Sequence, residues 1–288
     1  MMDFDVTSVK TLDEALKALS EYGDDAKVIA GGQSLLNILK QGLMAPEILV
    51  DIKGVAELDG LQIGASIRIG ANTSHRTLED ASALDETWPV LREMEHDLAS
   101  VQIRNWGTMG GNLCIADPTG DPAPVLMAYD AEAEIAGPEG KRRLPLEAFF
   151  VDYYETVLEP EELLTAVEAP APPPRSGVAH EKFRNVEGDA PIVVAGVRLT
   201  LTEDHRRVED VRIALGGVAP VPIRALEAEK VLRGQEPSDE ALAEAAATAP
   251  GETAPIPDIT ASEAYKKKLV RVLVHRAAGR ALERAKGT

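Results

Sequence analysis

Cysteine occurs once in the 288 residues, as Cys114. One thiol forms no intrachain disulfide, and it leaves an iron–sulfur cluster without the cysteine set that holds it. Positive charge is scarce: 30 lysines and arginines stand against 48 carboxylates, a formal net charge of −18. That balance argues against non-specific nucleic-acid binding, which needs cations to neutralise phosphates, and against attraction to anionic membranes. It favours solubility and is compatible with a saline cytoplasm. The histidines, His75, His96, His180, His205 and His275, are nowhere paired at metal-ligand spacing and read as surface or packing residues. No apolar run is long enough to span a bilayer. No basic segment followed by an apolar one opens the sequence as a secretory signal would, so the expected location is the cytoplasm. A Gly-Xaa-Ser-Xaa-Gly elbow, a Walker loop and a Gly-Xaa-Gly-Xaa-Xaa-Gly run after a strand are all missing.

What is present is a globular composition, 44% hydrophobic and 27% charged, long enough for two domains. Thr11-Leu12-Asp13-Glu14 reads as a capping box, with Glu14 reaching back, and the helix it opens should stop near Gly23. A short strand from Lys27 to Ala30 runs into Gly31-Gly32-Gln33-Ser34, after which Leu35, Leu36 and Leu39 resume a helical period. Adjacent glycines let a backbone approach another group closely, and free N–H groups before a helix favour an anion such as phosphate. The same device recurs in Thr108-Met109-Gly110-Gly111-Asn112-Leu113, followed by Asp117 and Asp121. A tight glycine turn is the plain alternative at each place.

Between these stretches, a hairpin is expected at 62–63 and 67–71, helices at 77–80 and 86–95, and an apolar-rich connection at 98–103. Asp121 should cap a helix over 122–129. A second hairpin (131–135 and 141–144) and a strand at 163–168 lead to the proline cluster at 169–177, the best domain boundary. Beyond it, strands at 179–184, 192–202 and 208–215 suggest an antiparallel meander. Helices at 223–232, 238–248 and 262–284 follow. The last should bury Leu269, Val272, Leu273 and Ala277 on one face, with Lys266-Lys267-Lys268 a solvated or docking face. The expected architecture is α+β: domain 1–174, made of α/β subdomains 1–54 and 55–174, and domain 175–288 with a small antiparallel sheet and helices.

The ordered set of Ala30-Gly31-Gly32-Gln33-Ser34-Leu35 and Thr108-Met109-Gly110-Gly111-Asn112-Leu113 resembles the FAD-binding medium subunit of molybdenum hydroxylases. That family includes the flavoprotein subunits of carbon monoxide dehydrogenase and xanthine dehydrogenase-like enzymes. Further matches are Thr11-Leu12-Asp13-Glu14-Ala15-Leu16, Val101-Gln102-Ile103-Arg104-Asn105, Leu158-Glu159-Pro160-Glu161-Glu162-Leu163-Leu164, Leu215-Gly216-Gly217-Val218-Ala219-Pro220 and Ala261-Ser262-Glu263-Ala264-Tyr265. The resemblance thus covers essentially the whole chain. It implies a vanillyl-alcohol-oxidase/PCMH-like fold clasping FAD, with both glycine loops at the pyrophosphate. It assigns cofactor contacts to Lys27, Ala30, Gly31, Gly32, Gln33, Ser34 and Leu35 and to Thr108, Gly110, Gly111 and Asn112. Asp121 and Asp117 fall on the adenosine side. Leu164 and Lys182 lie near the cofactor, and Leu98 and Val101 are apolar walls. No residue need act as acid, base or nucleophile.

The resemblance further implies a large molybdenum-cofactor partner and a small partner with 2Fe–2S clusters, assembled as a dimer of heterotrimers. This chain would pass electrons through FAD to quinone, NAD or oxygen, and the substrate would bind elsewhere. Val9 replaces a usual proline, Met109 a frequent isoleucine, and Ala190 in Gly188-Asp189-Ala190-Pro191 an aromatic that lies on the flavin in several relatives. The competing readings are a stand-alone flavoenzyme, with Tyr153 or Tyr154 as candidate bases, and a non-catalytic nucleotide-binding scaffold. Substituting Gly111 by tryptophan should abolish FAD binding; stoichiometric flavin retained by that variant, measured by absorbance, would overturn the role of the second loop.

Overall fold

The computed structural model describes residues 4–287. The first layer is a three-stranded parallel sheet, β1 (Asp5–Ser8), β2 (Ala26–Ile29) and β3 (Ile48–Asp51), in the order β1-β3-β2. Helices α1 (Leu12–Tyr22) and α2 (Leu35–Lys40) make the crossovers. Thr11 caps α1, its Oγ1 accepting the Glu14 N–H at 3.2 Å. The return bond of the box is displaced by one residue, because Glu14 Oε2 accepts the N–H of Lys10 at 2.7 Å. Gly23, at φ 52°, ends the helix as expected. Ala15 and Leu19 on α1 close over Ile48 and Val50.

The second layer is a five-stranded antiparallel sheet. In chain order it comprises β4 (Leu61–Ile63), β5 (Ser66–Gly70), helices α3 (His75–Asp80), α4 (Pro89–Asp97), α5 (Val101–Trp106), α6 (Met109–Ile115) and α7 (Pro122–Ala128), then β6 (Glu132–Gly137) and β7 (Gly140–Pro145). The small hairpin β8 (Phe150–Asp152) and β9 (Glu155–Thr156) precedes β10 (Leu163–Pro170), which enters the middle of the sheet, order β4-β5-β10-β6-β7. Three sequence expectations change here. Residues 101–106 form helix α5 instead of a connection, because Ser100 Oγ accepts the N–H of Ile103 and supplies the cap. The second glycine pair is the first turn of α6: Thr108 Oγ1 accepts the Gly111 N–H at 3.1 Å, and Met109 and Leu113 bury in the core. Asp121 does not cap α7, since its backbone is itself helical (φ −65°, ψ −41°) and its side chain makes no cap bond. The core of this layer gathers around Trp88, Met94, Leu126 and Phe149, and Trp88 Nε1 donates to Pro170 O at 3.2 Å.

Residues beyond the proline cluster form an antiparallel sheet of β11 (Ser176–Phe183), β12 (Val193–Leu201), β13 (Val208–Gly216) and β14 (Ile223–Arg224). Ile223, expected to open a helix, instead pairs with Leu215, and α8 (Leu226–Leu232) starts after it. Helices α9 (Asp239–Thr248) and α10 (Glu263–Gly287) follow, α10 packing across β11 and β12. Leu269, Leu273 and Ala277 are buried there, whereas Val272 is 43% exposed on the opposite side. The lysine run is not uniformly solvated: Lys266 is buried, donating to Asp258 Oδ2 at 2.5 Å and to Ile256 O at 3.1 Å. Its ammonium, with Thr260, holds the Asp258 carboxyl far below the ordinary range. No helix among the described residues is long and apolar enough to cross a membrane.

The two sheets join where α7 lies on β12 and β13. Gly196 makes the approach possible, since a Cβ there would fall 2.4 Å from Pro124 O. Arg198 and Arg212 on the far sheet both reach Asp130 just past α7, at 2.8 and 2.7 Å. Gly196→Ala should therefore lower stability by about 1–3 kcal/mol through overpacking, read as a reduced urea midpoint; an unchanged midpoint would contradict this contact.

Candidate functional site

A cavity of about 480 Å³ lies between the first layer, helices α5 and α6, the start of β10 and the segment Gly188-Asp189-Ala190-Pro191. That is within the range of small-molecule sites. Lys27, Ala30, Gly31, Gly32, Gln33, Ser34, Leu35, Leu98, Thr108, Gly110, Gly111, Asn112, Asp117, Asp121 and Leu164 all line it. Two expected residues do not. Val101 stands at the start of α5 with its side chain turned out, 46% exposed, and Ile103 takes the wall position instead. Lys182 lies behind the wall, its ammonium on Asp121 Oδ2 at 3.2 Å and Asp97 O at 2.7 Å.

The glycines have separate jobs. A Cβ on Gly31 would sit 1.9 Å from Trp106 O, and one on Gly110 would sit 2.5 Å from the Ala71 Cβ. These two glycines thus let protein meet protein and bring the layers together. Gly32 supplies a left-handed conformation, φ 70°. In the turn they form, the backbone N–H groups of residues 31–35 have no acceptor among the described residues. The second loop differs. Its first-turn N–H groups are taken, Met109 by Thr73 O, Gly110 by Ala71 O, Gly111 by Thr108 Oγ1 and Asn112 by Thr108 O. Backbone donation from both loops was expected; only the first has it to give. From α6 the cavity receives instead the Asn112 amide and the Thr108 hydroxyl proton, neither of which has an acceptor among the described residues.

The acids divide similarly. Asp117 Oδ1 is occupied by Thr119, accepting from its N–H at 2.9 Å and its hydroxyl at 2.7 Å. Asp121 Oδ1 is buried with no hydrogen bond; His180 Nε2 stands 3.4 Å away, misaligned and equally unsatisfied. An orphaned buried oxygen in a cavity wall calls for a donor from a ligand. Behind it, Arg104 grips Glu79 through two bonds of 2.8 and 3.0 Å. Burial works upward on the Glu79 carboxyl, but Arg104, His96 and Arg76 outweigh it and hold it below the usual range. Burial pushes the Cys114 thiol up to about 12, so it lines the cavity as an inert group.

Sequence reasoning missed several lining residues: His75, Ala99, Ile103, Gly107, Ile115, Leu158 and Leu163, with Ile38 and Met44 from the first layer. Most are apolar and carry no motif. His75 is buried, its Nδ1 2.8 Å from Glu95 Oε2. A hydroxyl cap, Ser74 Oγ on the Thr77 N–H at 3.0 Å, marks the start of its helix but says nothing of its ligand. Tyr153 and Tyr154 are exposed at the β8–β9 tip and are not among the lining residues.

A run of unused donors facing an amide, a hydroxyl and an unsatisfied carboxylate defines a nucleotide-cofactor cleft in a two-layer α+β protein. Residues 2–172 match the FAD binding domain in molybdopterin dehydrogenase, and residues 178–281 match the CO dehydrogenase flavoprotein C-terminal domain. The chain belongs to this family, the FAD-carrying medium subunits of molybdenum hydroxylases. It is 37% identical over 284 residues to the carbon monoxide dehydrogenase medium chain of Afipia carboxidovorans, covering 98% of both chains. It is 30% identical to the xanthine dehydrogenase FAD-binding subunit of Escherichia coli O157:H7, covering 96% of this chain and 95% of that one. The crystal structure of the cyanide-inactivated Cu,Mo-CO dehydrogenase contains a chain that superposes with a TM-score of 0.94 at 36% identity, covering 99% of each. The cofactor is FAD, and the free N–H run with the orphaned Asp121 Oδ1 fits it. Gly31→Ala should drive the two layers apart at Trp106 and cost FAD binding; full flavin content in the purified variant would contradict the steric role given to this position.

Proposed function

We propose that residues 1–174, as subdomains 1–54 and 55–174, hold FAD in this cleft while residues 175–288 brace it. In this reading the N–H groups of residues 31–35 bind the diphosphate, and the observation that carries it is their lack of any partner among the described residues. Thr108 and Asn112 donate from the opposite wall, and Asp121 Oδ1 accepts a sugar hydroxyl. Gly110 and Gly111 serve the site by setting the α6 turn. Lys182 acts through Asp121, as a positioning residue. Leu98 and Leu164 give apolar walls.

Bound FAD accepts electrons singly and passes them on in pairs. The protein's part is to bind the flavin, limit access to it and keep competing groups away. Ala190 in the wall offers no aromatic cover, which leaves the entry for an acceptor wider than an aromatic would. A stacked ring there would contribute about 0.5–1.5 kcal/mol, so its absence bears on access more than on affinity. The chain works as the medium subunit with a large molybdenum-cofactor subunit and a small iron–sulfur subunit, as a dimer of heterotrimers in the cytoplasm. The relatives' names span carbon monoxide, nicotine, caffeine and xanthine. That spread over one fold supports substrate choice by another subunit. The purified chain should carry about one FAD and be reduced by substrate only when the two partner subunits are added. Reduction of the isolated chain by a small substrate would favour a stand-alone flavoenzyme, and a flavin-free chain a scaffold.

A further inference from the structure

We infer that His75 is a binding residue for the diphosphate of the cofactor, donating from Nε2 and taking up a proton as the cofactor binds. The inference rests on the FAD reading above. It begins from charge. A diphosphate brings two negative charges into a cleft already lined by Asp117, Asp121, Glu162 and Asp189. Lys27 is the one lysine or arginine among the lining residues. Glu162 is neutralised by Arg142 through bonds of 2.8 and 2.7 Å, and Asp121 is paired from behind with Lys182 at 3.2 Å, which leaves Asp117 and Asp189 with no lysine or arginine on them among the described residues. Backbone N–H groups supply partial charge only. His75 is the one histidine among the lining residues, and histidine is the side-chain type that can add a positive charge in the neutral range.

Its position suits the task. The imidazole lies between the two glycine loops: a Cβ built on Gly107 would sit 3.2 Å from His75 Cδ2 and 3.7 Å from Gln33 Cγ. Cδ2 is bonded to Nε2, so this edge of the ring meets Gly107, and Gln33 of the first loop approaches the same point. The His75 N–H donates to Gly107 O at 3.0 Å, and Ser74 bridges to Thr108, which fix the residue to the second loop. Nδ1 is engaged by Glu95 Oε2 at 2.8 Å, both side chains being almost fully buried, while Nε2 has no partner among the described residues. A carboxylate that holds one ring nitrogen orients the other and stabilises the imidazolium. Glu95 Oε1 is itself buried and unsatisfied. Burial pushes the Glu95 carboxyl up, His75 opposes the rise, Asp121 adds to it and Arg104 opposes it. An anion at Nε2 shifts this balance toward the ionised pair.

The groups around His75 set the direction. Glu95 of α4 holds Nδ1, and Asp121 before α7 acts on the Glu95 carboxyl; Arg104 of α5 is spent on Glu79, and Lys27 faces the cavity from β2. On α3 itself, Arg76 is paired with Glu79 and Asp80. Proton uptake on binding means that FAD binds more tightly at lower pH. Affinity then falls as pH rises, by up to about tenfold per pH unit for one proton taken up.

The test uses the full-length chain stripped of flavin, titrated with FAD calorimetrically in buffers of different ionisation heat. ADP, which has the diphosphate, and riboflavin, which lacks it, are the comparison ligands. A fraction of a proton should be taken up with FAD, and histidine ¹⁵N resonances of one residue should move to imidazolium positions. ADP should reproduce the uptake and riboflavin should not. His75→Gln should bind FAD more weakly, with the uptake gone, and Glu95→Gln should reduce it. FAD bound by the wild-type chain with no proton exchanged would overturn the role of His75 and leave the FAD site standing, whether or not either variant folds. Undiminished uptake in His75→Gln would overturn it too. Failure of the wild-type chain to bind FAD at all would overturn the cofactor reading itself.

Discussion

The cleft depends on one close approach: the carbonyl of Trp106 stands where residue 31 would carry a Cβ. Only glycine lets the turn after β2 rest against the end of α5. That contact docks a parallel three-stranded layer on an antiparallel five-stranded one, and the cavity is the space left beside it. The neighbouring Gly110 repeats the device one element later, seating α6 on Ala71 at the end of β5. The price of this packing is visible in the hydrogen bonds. Where α6 meets protein its N–H groups are spent on Thr73 and Ala71, and where the first turn faces the cavity its N–H groups have no acceptor among the described residues.

The C-terminal domain closes the site from behind through charge. Lys182 and Arg184 from β11 and the link after it converge on Asp97 at the end of α4, and Lys182 continues to Asp121. Burying such a set is favourable only when its members are paired and hydrogen-bonded. The members facing the protein are paired, whereas Asp121 Oδ1 and His75 Nε2, on residues that line the cavity, have no hydrogen bond among the described residues; His180 Nε2, also unsatisfied, stands 3.4 Å from Asp121 Oδ1 outside the cavity lining. The unsatisfied atoms therefore trace the wall that a ligand completes. The molecule is stabilised away from that wall by ordinary means: alternating strands, buried aliphatic side chains and the ion pairs of Arg198 and Arg212 with Asp130.

Much of this was legible in the residue order. The strand–glycine–helix run at 26–40, the hairpins, the meander after the prolines and the helix cap at Thr11 all follow from local rules of period, capping and turn chemistry. Helix α5 escaped because its apolar residues point in several directions and its cap is a single serine. Val272 was assigned to the wrong face because a helix packed on a sheet buries a narrower stripe than its apolar residues suggest. Lys266 escaped because its partner, Asp258, comes from the irregular link before the helix.

The sequence by itself determined the family, the two-domain α+β order and the stretches that line the cleft, since these rest on motifs whose spacing is written along the chain. Tertiary structure decided the division of labour inside them. Which glycine touches protein and which supplies a turn, which N–H groups are spent, and which acid keeps a free oxygen all depend on residues far apart in sequence. His75 shows the reason most plainly. Its neighbours in the chain describe a short capped helix, and only folding sets Glu95 on one ring nitrogen and the cleft beside the other.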